Sequence, residues 1–66
     1  MGDFIIATVV FRERITVAGM NFSGEMHHLL VRMEDAWVHV RSEANPSTVY
    51  SFPLYVIACV VWEPES

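Results

Sequence analysis

Apolar positions crowd both ends of this chain. Phe4-Ile-Ile-Ala-Thr-Val-Val-Phe11 is rich in β-branched and aromatic residues and has no polar face. That pattern predicts a buried strand, because the run is too short for a typical buried helix. Arg12-Glu13-Arg14 interrupts it before Ile15-Thr16-Val17 resumes it. The preferred reading is a hairpin turning at Arg12-Glu13; the alternative is one long strand with a polar middle. Gly19 to Gly24, with Asn21 and Ser23 between them, reads as a turn region. Phe22 is its inward anchor.

Glu25 to Trp37 fits two periods. Met26, Leu29, Leu30, Met33 and Trp37 recur at helical spacing, and Asn21 or Ser23 is a suitable cap. The same stretch alternates as a strand does. A turn over Met33-Glu34-Asp35-Ala36 gathers Leu29, Val31, Met33, Ala36, Val38 and Val40 on one dry face. It leaves His28, Leu30, Arg32, Trp37, His39 and Arg41 on the other. The hairpin is favoured; a helix over about 24–35 is the alternative.

Ser42 to Ser47 collects Ser, Asn and Pro and reads as an exposed loop. Thr48 to Phe52 reads as a strand, and Pro53 marks an edge, a bulge or a bend. Leu54 to Trp62 carries no charge. Read as one strand, it places Leu54, Val56, Ala58, Val60 and Trp62 on one face, and Tyr55, Ile57, Cys59 and Val61 on the other. Neither face is polar, which suits a central or interface strand. The ending Glu63-Pro64-Glu65-Ser66 is polar.

Composition sharpens this picture. Sixty-six residues make one domain at most, and a chain this short is marginal alone. Its hydrophobic fraction is 53%, above the usual ~45–50%, while charged residues are only 18%. There is little interior to hide the surplus, so self-association is expected. Phe4, Ile6, Val56, Ala58, Val60 and Trp62 are the expected interface residues. Cys59 is the sole cysteine, so no disulfide forms within the chain; it is expected to be buried.

The formal net charge is −4, lysine is absent, and the four basic residues are all arginines. This acidic balance disfavours binding to phosphate backbones. Neither apolar run approaches the ~20 residues of a membrane-spanning helix. No basic region precedes the first run, so a cytoplasmic setting is expected.

The middle of the chain resembles the Sm-like barrels, small rings that bind RNA. Ile15-Thr16-Val17-Ala18-Gly19 precedes Met20-Asn21-Phe22-Ser23-Gly24-Glu25-Met26, so two glycines five residues apart follow an alternating strand. Val56-Ile57-Ala58-Cys59-Val60 is similar to the family's last strands. The resemblance covers about half the chain and implies a barrel shape. The chain departs from the family in opening with a strand-like run instead of a helix. It also has histidine or leucine where the family carries an aspartate, and it lacks a basic loop near the end. The expected fold is mostly β: a small curved sheet or barrel of SH3 or Sm-like size, with about four to six short strands. A sheet carrying the 24–35 helix is the alternative.

The candidate binding face comprises His28, Arg32, Trp37, His39 and Arg41. In the register above, Arg32 faces Trp37, Arg41 faces His28, and His28 and His39 are diagonal neighbours about 7–8 Å apart. Arginine beside exposed tryptophan suits a protein-contact hot spot, or stacking on a base. Glu25, His27, His28 and His39 raise a metal question. However, adjacent strand histidines point to opposite faces, and zinc needs three or four convergent ligands. No metal, cofactor or catalytic residue is expected, since no serine has a nucleophile-elbow context and the chain is small for a cleft. The expected function is a non-enzymatic, homo-oligomeric protein-interaction module, acting as an inhibitor or accessory subunit. The alternative is a small barrel that binds nucleotide or single-stranded nucleic acid through the Arg/Trp/His face.

Overall fold

The computed structural model describes residues 4–45 and 47–63. Five strands form a single antiparallel sheet: β1 (Ile5–Val17), β2 (Met20–Glu34), β3 (Trp37–Ser42), β4 (Tyr50–Pro53) and β5 (Ile57–Trp62). A 3₁₀ turn, η1 (Leu54–Val56), joins β4 to β5. The order across the sheet is β4-β3-β2-β1-β5. The mostly-β expectation therefore holds, and Gly24 to Asp35 forms no helix. Ladder partners such as Val9, Val10, Val38 and Val40 override the helical spacing of β2, because each of its edges meets a neighbouring strand.

The sheet curls strongly. Laid flat, β1 and β4 would lie roughly 14 Å apart at normal strand spacing. Yet the Phe11 ring of β1 lies 5.4 Å from the Phe52 ring of β4. The three residues of η1 also join strands at opposite margins of the sheet. Curling wraps the sheet around one core of Ala7, Val9, Phe11, Phe22, Leu29, Val31, Val38, Val40, Phe52, Val56 and Ile57. Phe22 is the anchor expected of it, at 1% exposure.

Several local expectations are corrected. β1 does not turn at Arg12-Glu13. It runs on to Val17, and Arg12-Glu13-Arg14 bulges out opposite the single residue Ser23. Charged side chains there reach water without breaking the strand. The turn region also shrinks to Ala18-Gly19, with φ of 50° and 81°. That is the left-handed pair a type I′ hairpin requires. Gly24 lies inside β2, opposite Phe11.

A second bulge sits in β2, where His27 and His28 together oppose Thr8. The Thr8 hydroxyl is almost fully buried and shares a 3.0 Å hydrogen bond with His27 Nδ1. His28 takes up the extra residue at φ 59°. Histidine tolerates this conformation better than most side chains, and β-branched residues tolerate it poorly. His28→Val should therefore lower stability by about 1–2 kcal/mol. His28→Gly should leave the thermal midpoint unchanged or higher. Calorimetry of the two variants checks the strain: equal midpoints would contradict it.

The apolar run Leu54 to Trp62 is not one strand, and it is not central. Pro53 ends β4, η1 follows, and β5 lies at the margin of the sheet. Ala58 is an extra residue between the pairs Val10↔Cys59 and Phe11↔Ile57. The expected two-face alternation breaks there. Consecutive Val56 and Ile57 are both buried, whereas Cys59 is exposed rather than buried. Val56 belongs to the core and is lost to any interface. Val60 packs partly against that core. The loop after Ser42 is exposed at Glu43, Ala44, Asn45 and Ser47, as expected. Pro46 and residues 64–66 of the tail lie outside the described residues.

Candidate functional site

The hairpin of β2 and β3 forms with its turn at Asp35-Ala36. Its pairs are Leu30↔Arg41, Arg32↔His39 and Glu34↔Trp37. Relative to the expected register, every partner moves by two residues. A shift of two preserves the faces, since side chains alternate with period two. Val31, Val38 and Val40 are accordingly buried, while Met33 near the turn is 42% exposed. The named pairings are corrected: Arg32 faces His39 rather than Trp37, and Arg41 faces Leu30 rather than His28. The His28–His39 neighbourhood is lost too. His28 lies in the bulge, beyond the last β2–β3 pair at Leu29↔Ser42, and its Nδ1 is 3.6 Å from Glu63.

Arg32, His39 and Arg41 do share the outer face. Phe4 joins them: the guanidiniums of Arg41 and Arg32 stand 4.4 and 5.7 Å from its ring centre. These are cation–π contacts. Glu34 Oε1 lies 3.4 Å from Arg32 and accepts a 3.1 Å hydrogen bond from His39 Nε2. His39 Nδ1 is 2.7 Å from the Ser51 hydroxyl. The order Ser51–His39–Glu34 has the connectivity of a nucleophile, base and orienting acid. Ser51 and Glu34 are exposed, however, and His39 is only partly covered. These contacts bind the face to itself and fix the His39 ring.

Trp37 alternates onto the same face but has a different set of neighbours. It lies at the start of β3, 48% exposed, opposite Pro53 on β4. The Leu54 amide donates a 2.7 Å hydrogen bond to the Ala36 carbonyl, which ties η1 to the β2–β3 turn. Pro53 lacks an amide and holds φ at −62°, so the chain leaves the ladder there. Val56 then points inward, and Leu54 and Tyr55 point out at 40% and 76% exposure. The result is an open apolar groove of about 710 Å³, lined by Trp37, Pro53, Leu54, Tyr55 and Ile57 together with Ala36 and Arg12. Arg12 makes no ion pair among the described residues.

Of the sequence-nominated residues, only Trp37 reaches this groove. Pro53, Leu54, Tyr55 and Arg12 were missed as a set. The available signal was Pro53-Leu54-Tyr55 directly after a strand: a forced bend followed by two large side chains. Arg12 carries no local signal, because only the β1 bulge brings it near. Among the described residues no group of three His, Cys, Asp or Glu side chains is placed to hold a metal ion. None of their helices is long and apolar enough to cross a membrane. Comparison with protein families found no match, nor did comparison with curated proteins or with solved structures.

Proposed function

We propose that this chain is a self-associating protein-interaction module that holds an extended segment of another protein in the Trp37–Tyr55 groove. The groove carries the reading. Exposed tryptophan and tyrosine beside a proline form a contiguous apolar surface, the composition that dominates binding hot spots. The Arg32–Arg41 face supports it less, because Phe4 and Glu34 already engage those side chains.

The groove also favours a ligand chemistry. Its lining offers few hydrogen-bond partners, so a ligand must bring few unpaired amides. Proline has none, and a polyproline II segment keeps its carbonyls in water. Arg12 in the lining suits a carboxylate on the ligand. A partner segment containing proline and one acidic residue satisfies both conditions. Titration of the labelled protein with such peptides, followed by nuclear magnetic resonance, checks this. The expected result is saturable shifts at the Trp37 indole and the Tyr55 amide. Shifts confined to Arg32, His39 and Arg41, or shifts only with short RNA at low salt, would overturn the assignment.

A further inference from the structure

We infer that β5 is a dimerisation edge, pairing antiparallel with β5 of a second copy about a two-fold axis at Val60. The inference rests on the self-association in the reading above and assigns it a surface separate from the groove. Among the described residues β5 pairs only with β1, and its other margin has no strand beside it. Edge strands are usually protected by charge, lysine or proline. Ile57-Ala-Cys-Val-Val-Trp62 has none of these.

The hydrogen-bond phase makes this edge self-complementary. The Glu63 amide donates to the Ile6 carbonyl at 3.1 Å, so Ile6 and Glu63 form a hydrogen-bonded pair. The register Ala7↔Trp62, Thr8↔Val61, Val9↔Val60 continues regularly from it. In an antiparallel ladder such pairs alternate. Val61 and Cys59 therefore turn their backbone groups toward β1. Val60 and Trp62 turn theirs outward, away from the sheet. Two copies can join only where outward residues meet outward residues. Pairing Val60 with Val60 of the second copy does so with most of the strand overlapped, and the bulge at Ala58 disfavours sliding the other way.

The side chains agree with that register. It sets Cys59 against Val61 on the outer face, twice by symmetry. Both are exposed and uncharged, with Val61 at 55%. It also sets small, exposed Ala58 against Trp62, itself 42% exposed. A second copy is thus the occupant whose donors, acceptors and apolar side chains all match.

Three measurements on the full chain test the inference. Sedimentation should show a reversible dimer. A five-residue edge pair is small beside the roughly 1,200 Å² of a stable interface, so micromolar or weaker association is expected. Trp62→Pro removes an outward amide and leaves every β1 bond in place, so it should yield a folded monomer. Val61→Cys should oxidise to a covalent dimer linked between Cys59 of one copy and the new thiol of the other. The non-hydrogen-bonded pairing brings those Cα atoms to about 4.5 Å, within disulfide range. A wild-type monomer at ~1 mM, a concentration that populates even weak dimers, would overturn self-association altogether. A dimer that survives Trp62→Pro would overturn the edge assignment alone. Should that variant fail to fold, Val61→Cys decides: a bond between identical positions, or none, overturns the register.

Discussion

Phe22→Ala should cost the protein a large share of its folding stability. The Phe22 ring is 1% exposed and lies 4.9, 5.1 and 5.6 Å from the rings of Phe52, Tyr50 and Phe11. It therefore ties β2 to both β1 and β4 inside the curled sheet. Truncating a buried phenylalanine costs about 3–5 kcal/mol, as lost transfer energy plus the cavity left behind. A domain of this length has only about 3–10 kcal/mol of stability to lose. The midpoint should fall by at least about 12 °C, or the cooperative transition should vanish. Thermal melts followed by circular dichroism check this. A fall of only a few degrees would mean that the aromatic cluster is not the keystone of the curl.

Trp37→Ala combined with Tyr55→Ala should abolish ligand binding while the chain stays folded. Both side chains are largely exposed, so their removal costs the fold little. At a groove centre each should act as a hot spot worth about 2 kcal/mol or more. Even one such loss weakens binding about 30-fold, and two exceed the range of most titrations. Arg12→Ala separates the parts of the site. It should weaken only ligands that carry the acidic residue and spare those with proline alone. Titration calorimetry with matched peptides distinguishes these outcomes. Unchanged affinity in the double variant would remove the groove from the function.

Two of the three bulges, at Arg12–Arg14 and at Ala58, explain why the site was hard to read in the sequence. Period two is a local rule, and it holds along Leu29 to Val31 and Val38 to Val40. Those faces were legible for that reason, even with the register two residues out. A bulge inserts one or two residues without a sequence mark of its own. At Ala58 it put Cys59 outside and Ile57 inside. At Arg12–Arg14 it pushed charges toward the groove while β1 continued. Only the pairing strand fixes where the extra residue goes, because the ladder on either side must close.

The sequence by itself determined a β fold, because its apolar runs are short, β-branched and aromatic. It determined the inward role of Phe22, the bend at Pro53 and an apolar surplus too large for the core. Tertiary structure alone decided where that surplus emerges. Pairing of β4 with β3 brought the bend after Pro53 against the β2–β3 turn, and so exposed Tyr55 and Leu54 beside Trp37. The strand order left β5 at the margin, with the amides of Val60 and Trp62 facing out. Both outcomes depend on contacts between residues far apart in the chain. No local pattern of apolar and polar positions contains that information.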